Sequence, residues 1–400
     1  MSSNKLPEEI YHEILIRLPV KSVLKSKSVC KSWYSQISNP NFVKSHLNQT
    51  KNNSSSNSRL LLGIGDDLHS IGYDSLVPSM DFEDSAVRMR YPFKLQIQCV
   101  RLFGSCDGLV FLWLYGCSVY SDDGEDILCA WNPATREYKN IPQSPSIHFN
   151  DICINGLVYD GKNDDYKFVI GADGLSELTT FVEIFSLRSN SWERILTPYW
   201  STYGDWKTGV LVNGDLHWLA KGECGVCIVY LDISCGMPWF KEIQLPTVPN
   251  LEFLIVGVLE EGCLCVVSDN GDSVGLGRVQ VWEMKVYGVR ESWTKRYVIT
   301  NERITKSVMV TEPGWKIIWS FKNGKIVFMD SHKLVLYDPK HRTAVERNLD
   351  RLAYFTSEAN YVESLFSLNS DTYVGTELLE ESTEDEESTE EDEESTEDEG

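Results

Sequence analysis

The chain holds 400 residues, 42% of them hydrophobic and 11% aromatic, enough to bury a large core in two or three domains. No run approaches the ~20 continuous apolar residues of a membrane helix, and no charged-then-apolar secretory signal opens the chain. The net charge of −22 is uneven: residues 1–51 carry eight Lys or Arg against three Glu, residues 377–400 carry fifteen acidic residues and no basic one, and the middle region stands at −12. An acidic main body argues against a nucleic-acid partner, and the absence of apolar spans against a membrane partner. Eleven cysteines without regular spacing read as reduced thiols of a cytoplasmic or nuclear protein.

Three short amphipathic helices are predicted within residues 1–47. Pro7 suits a helix start, and Glu8 and Glu9 complement the dipole of its first turn. Ile10, Ile14, Leu15 and Leu18 then make one apolar stripe, which Pro19 ends. Val20, Val23 and Leu24 make a second stripe. Cys30, Trp33, Tyr34 and Ile37 make a third, stopped by Asn39-Pro40. So short a segment cannot bury a self-sufficient core, so part of its apolar surface is expected to meet a partner. An ordinary helical cap on a larger domain is the other reading of the same periodicity.

The residues in this order resemble the F-box: Leu6-Pro7-Glu8-Glu9-Ile10, Ile14-Leu15, Leu18-Pro19, Lys21-Ser22, Val29-Cys30-Lys31-Ser32-Trp33 and Phe42. The resemblance implies a module that binds a Skp-type adaptor, and through it cullin and RING subunits of an SCF ubiquitin ligase. On that basis Leu6, Pro7, Ile10, Ile14, Leu15, Leu18, Pro19, Leu24, Val29 and Cys30 form or support the adaptor interface.

Residues 48–58, NQTKNNSSSNS, read as a polar linker. From 59 to 376 the apolar period shortens to two, as in an all-β domain. Five copies of a strand–turn–strand unit occur at Leu128–Pro142, Val182–Ile195, Ile228–Pro246, Val279–Ile299 and Lys333–Leu349, roughly 45–55 residues apart, the spacing of propeller blades. Five turn-centred hairpins lie between them, around Asp107-Gly108, Asp160–Asp164, Asn213-Gly214, Glu261-Gly262 and Asn323-Gly324. A sixth unit is expected from Arg59–Leu62 and Leu68–Leu76 with a last strand at Tyr361–Leu368, closing a ring. The predicted fold is mainly β: a three-helix F-box, a kelch-like β-propeller of about six blades, and an acidic tail over 377–400 whose composition favours disorder. Two β-sandwich domains are the structural alternative.

The segments CDGLVFL, WNPATRE, YDGKNDDYKFV, VEIFSLRSNSW and VWEMKVYGVRESW resemble the F-box-associated domain of plant F-box proteins, which is related to kelch repeats. Within that family the pattern is similar to S-locus F-box and S-locus F-box-like proteins. That similarity implies pollen recognition (self-incompatibility) and a basic S-locus ribonuclease as one candidate target.

Signatures of catalysis are weak. Gly156 to Lys162 has P-loop spacing, but Asn163 stands where Ser or Thr should hold magnesium. Cys224 and Cys227 pair at zinc-knuckle spacing, but Cys263 and Cys265 alternate across a strand, so no metal and no cofactor are expected. His217 reads as a packed strand residue. The stronger lead is the aromatic segment holding Tyr199, Trp200, Tyr203 and Trp206, residue types enriched at binding hot spots, which is expected to line a substrate-recognition face. A non-catalytic substrate receptor, an F-box scaffold that drives no degradation, and a propeller enzyme stay open as functions.

Overall fold

The structure, a computed structural model, describes residues 7–52, 58–76, 86–90, 97–116, 126–174, 180–195, 197, 200–202, 207–222, 225–234, 238–248, 252–269, 279–300, 304, 316–329, 333–348 and 356–368. Four helices come first: α1 (Glu8–Leu15), α2 (Val20–Ser26), α3 (Lys31–Ile37) and α4 (Pro40–Asn52). Each Leu-Pro pair precedes a helix, with Pro7 and Pro19 in the extended backbone that caps α1 and α2. The three expected helices are present, and a fourth follows them. Pro40 does not merely stop α3; it occupies the first position of α4, where a missing N–H costs nothing. Residues 48–52, expected in the linker, are the last turn of that helix, and the first strand already begins at Ser58.

Six sheets follow. Blade 1 contains β1 (Ser58–Ile64), β2 (Asp67–Gly72) and β3 (Val87–Met89); blade 2 contains β4 (Ile97–Cys106), β5 (Leu109–Gly116), β6 (Ile127–Trp131) and β7 (Tyr138–Ile141). Blade 3 contains β8 (Ile152–Asp160), β9 (Asp165–Asp173), β10 (Thr180–Ser186) and β11 (Ser191–Ile195). Blade 4 is assembled from β12 (Trp200–Thr202), β14 (Val210–Val212), β15 (Asp215–Gly222), β16 (Gly225–Asp232) and β17 (Trp239–Ile243), while β13 (Lys207–Thr208) pairs in parallel with β8. Blade 5 contains β18 (Glu252–Val258), β19 (Leu264–Asp269), β20 (Val279–Met284) and β21 (Trp293–Ile299). Blade 6 contains β22 (Lys316–Ser320), β23 (Ile326–Met329), β24 (Lys333–Asp338) and β25 (Thr343–Asn348). A six-bladed propeller is the result, and all five predicted hairpins and all five predicted repeats occupy their expected strands.

The ring is closed by β26 (Thr356–Val362), which pairs with β1 from Ser58↔Val362 to Ile64↔Thr356. This corrects the expected last strand at Tyr361–Leu368. Ala359 and Tyr361 are the buried alternating positions of the closing strand, whereas Leu365 and Leu368 leave the sheet and pack elsewhere. Asn360 joins the ring's two ends. Its Nδ2 donates to the Ile318 carbonyl of β22 at 2.7 Å, and its Oδ1 accepts from the Tyr73 hydroxyl beyond β2.

Six apolar cores lie between successive blades. That between blades 2 and 3, for example, holds Phe103, Phe111 and Trp113 against Phe168 and Phe185. Both faces of each sheet are thereby covered, which explains why β5 reads LVFLWL instead of strictly alternating. Outer-strand tryptophans tie blade 3 to blade 2 and blade 5 to blade 4. Trp192 Nε1 donates to the Pro142 carbonyl at 2.8 Å and Trp293 Nε1 to the Gln244 carbonyl at 3.0 Å. No helix among the described residues is long and apolar enough to cross a membrane.

Candidate functional site

The helical module is built around Leu15, Val20, Val23, Ile37 and Phe42, all buried. Two propeller residues complete that core: Leu365, 2% exposed, and Ala134. Both are placed by one turn. In the β6–β7 loop, Asn132 Oδ1 accepts from the Ala134 amide at 2.9 Å and Nδ2 donates to the Phe366 carbonyl at 2.7 Å. Arg136 closes the loop at φ 62°. The WNPATRE segment thus fixes the chain end that fills the helical core.

Helix α4 seats the module on the propeller. Lys51 pairs with Asp107 in the β4–β5 turn, and Lys44 with Asp164 in the β8–β9 turn at 2.9 Å. The hydrogen bond from Lys44 and the charge around it raise the lysine's pKa, while bonds from the Tyr159 hydroxyl and Lys44 hold the Asp164 carboxyl below its usual range. Within the module, His46 Nε2 lies 2.8 Å from the Leu18 carbonyl; burial lowers this imidazole's pKa and the carbonyl only partly offsets that. His46 thus ties α4 to the turn between α1 and α2.

Ile10 and Ile14, on one side of α1, are 44% and 48% exposed, Val29 before α3 is 64% exposed, and Tyr34 on α3 is 58% exposed. Pro7, Pro19 and Cys30 are exposed beside them, and Leu18 and Leu24 are half-buried. Leu6 lies outside the described residues. Leu15, from the same stripe, is fully buried among Val20, Val23 and Ile37, beneath the exposed Ile10 and Ile14. Ile14 and Leu15 are about 100° apart on the helix, and only the packing of α2 and α3 decides which of them faces inward. Tyr34 was missed as a surface residue, because its spacing matches the buried positions of α3 equally well.

The opposite face of the propeller has a different character. Since Asp107 and Asp164 mark the helical side, the far ends of β8 to β11 lie a strand's length away, about 25 Å. There a pocket of about 480 Å³ is lined by Ile147, Asp151, Cys153, Asp173, Phe181 and Arg194. Arg194 lies over the Phe181 ring, 4.8 Å from its centroid. Of the predicted aromatic face, Trp200 opens β12 and pairs with Gly222, at the end of β15 remote from the helices. Tyr199, Tyr203 and Trp206 lie outside the described residues, as does the acidic tail. The segment with P-loop spacing is the strand β8 and a tight turn in which Asp160 Oδ1 accepts from the amides of Lys162 and Asn163. His217 is buried between Tyr230 and Tyr287, with Nε2 2.7 Å from the Tyr287 hydroxyl, and burial lowers its pKa to about 4.

Comparison with known proteins agrees with both halves of this architecture. The F-box domain family matches residues 4–45, and the family described as F-box associated beta propeller domain matches residues 52–374. The chain is 30% identical over 366 residues to the F-box protein CPR1 of Arabidopsis thaliana, covering 83% of this chain and 82% of that protein. It is 28% identical to the Arabidopsis thaliana F-box protein At5g49610, with 82% and 87% covered, and 26% identical to the F-box/kelch-repeat protein At3g23880 of the same plant, with 82% and 88% covered. Four helices carrying an exposed apolar face, a six-bladed ring and these matches over nearly the whole length agree: the chain belongs to the plant-type F-box proteins that carry an F-box-associated β-propeller domain.

Proposed function

We propose that this chain is the substrate receptor of an SCF-type ubiquitin ligase, a binding subunit and not a catalyst. One observation carries the reading: Ile10, Ile14, Val29 and Tyr34 stay 44–64% exposed on a module whose other large apolar side chains are buried or half-buried among the described residues. Large apolar side chains left exposed on so small a module are what a protein partner covers. The F-box match supports a Skp-type adaptor as that partner, with cullin and RING subunits beyond it. The far face of the propeller, with the blade 3 pocket and the start of β12 at Trp200, presents the target to the ligase, and the sequence reading adds Tyr199, Tyr203 and Trp206 to the recognition residues. The body's charge of −12 over residues 52–376 favours a basic target. A basic S-locus ribonuclease, and a role in pollen recognition, fit that charge and the S-locus resemblance. The cytoplasm or nucleus is the compartment such a ligase subunit occupies.

The test is adaptor binding by the full chain. Ile10→Asp with Ile14→Asp should weaken it at least about 100-fold, since two anchors of about 1.5 kcal/mol or more each are lost. Thermal unfolding should be nearly unchanged, because both side chains already face solvent. Parent-like adaptor binding by that double variant would refute the assignment. Target ubiquitination in a reconstituted ligase then separates a receptor from a scaffold.

A further inference from the structure

Lys21 and Lys25 make a cationic face on α2, with Lys27 just past its end and Lys31 at the start of α3. Lys21 and Lys25 are exposed one helical turn apart, Lys31 is exposed and Lys27 half-buried. None of the four makes an ion pair among the described residues, unlike Lys44 and Lys51, which are paired with propeller aspartates. The helical module itself supplies little to neutralise them: Glu13, one of its three glutamates, is paired with Arg17.

The described chain ends three residues after a side chain that packs against α2. Leu365 shares the helical core with Val20 and Val23 of α2, and the Leu368 amide, the last described, donates to Glu137 Oε2 at 2.7 Å. Helix α2 has seven residues, so it is only about 10 Å long. The acidic run begins nine residues after Leu368, at Glu377. Nine residues span at most about 30 Å, some three times the length of α2. Tethering at that distance gives an effective concentration of about a millimolar, which a free acidic peptide would not match.

We propose that residues 377–400 of this chain occupy the lysine face of its own helical module and compete with the adaptor for access to it. The charges are complementary, fifteen carboxylates against four lysines, and Leu365, twelve residues before the acidic run, packs against α2. Its near-repeat, ESTEDEESTEEDEESTEDEG, offers equivalent carboxylates at every register, so the contact is diffuse and needs no unique geometry. Lys31 directly follows Val29 and Cys30, so a tail held there brings charge and bound water beside the exposed apolar patch. The competition rests on the adaptor reading above; the contact itself does not.

Zero-length carbodiimide cross-linking of the full chain, analysed by mass spectrometry of the monomer band, reads the contact directly. At low ionic strength, where the Debye length is about 30 Å, tail carboxylates should join Lys21, Lys25, Lys27 and Lys31; at about 1 M salt, where it is about 3 Å, these links should fall about tenfold. Links spread equally over propeller lysines such as Lys221, Lys322 and Lys340, or found only between two chains, overturn the contact. Deleting 377–400 should raise the adaptor association rate about three- to tenfold at low salt, with the difference vanishing at high salt. An unchanged rate overturns the competition. If the adaptor fails to bind either form, the ligase reading fails while the cross-links still decide the contact.

Discussion

Asp107-Gly108 and Asn213-Gly214 make two turns of the same kind. Both residues of each have positive φ, 55° and 87° in the first and 52° and 91° in the second, and each turn joins its strands through two residues. Their surroundings differ. A Cβ on Gly108 would fall 2.2 Å from Ser364 Oγ and 2.9 Å from the Val362 carbonyl, whereas a Cβ on Gly214 would meet nothing within 4 Å. Gly214→Ala should therefore cost only its backbone strain, about 1 kcal/mol. Gly108→Ala adds overpacking against the chain end and should cost about 3 kcal/mol or more. Urea unfolding of the two variants checks this; equal losses would mean that residues 362–364 yield to the methyl group. The turns themselves were legible in sequence, because Asp-Gly and Asn-Gly state their backbone preference locally. The tight fit at Gly108 was not, since its neighbours lie some 250 positions further along the chain.

At the scale of elements, α4 shows how two kinds of contact divide the work of joining module to ring. Its ion pair Lys44–Asp164 is 57% exposed on both side chains, a setting in which such pairs contribute about 0–1 kcal/mol. Leu365, by contrast, is buried inside the helical core. Leu365→Ala should destabilise the helices by about 2–4 kcal/mol and speed amide exchange across α1 to α4, with blades 3 to 6 unaffected. Lys44→Ala should change neither by more than about 0.5 kcal/mol. Amide hydrogen exchange followed by mass spectrometry distinguishes the two; equal exchange in both variants would show that the charge pair, not the leucine, holds the module. The helices were readable from their periodicity, yet Asn39-Pro40 was read only as a stop. Proline ends one helix and begins the next by the same chemistry, and only the space beneath the propeller decided that a fourth helix would fill it.

For the molecule as a whole, ring closure is the decisive event, because an open propeller would expose the edge of β1 and strip one face of blade 1's core. Asn360 links the closing strand to blade 6 and to the buried Tyr73, whose hydroxyl would lose its acceptor in Asn360→Ala. That variant should lose about 1–3 kcal/mol, and the amides of β1 and β26 should be the first to lose protection. Uniform loss of protection across all six blades would show closure to be no weaker than any other seam.

Blade number, hairpin positions and helical module could all be read from the chain, because each is encoded locally: in a recurring period, in turn residues that tolerate positive φ, in proline before a helix. The closing strand lay five residues earlier than its apolar content suggested, and Leu15 and Ile14 divided between core and surface, because burial is settled by what arrives from far along the chain. Leu365 and Ala134 supply part of the helical core, and no period within residues 7–52 records them. Local codes specify the parts; the fit between distant parts decides which apolar side chains remain for a partner.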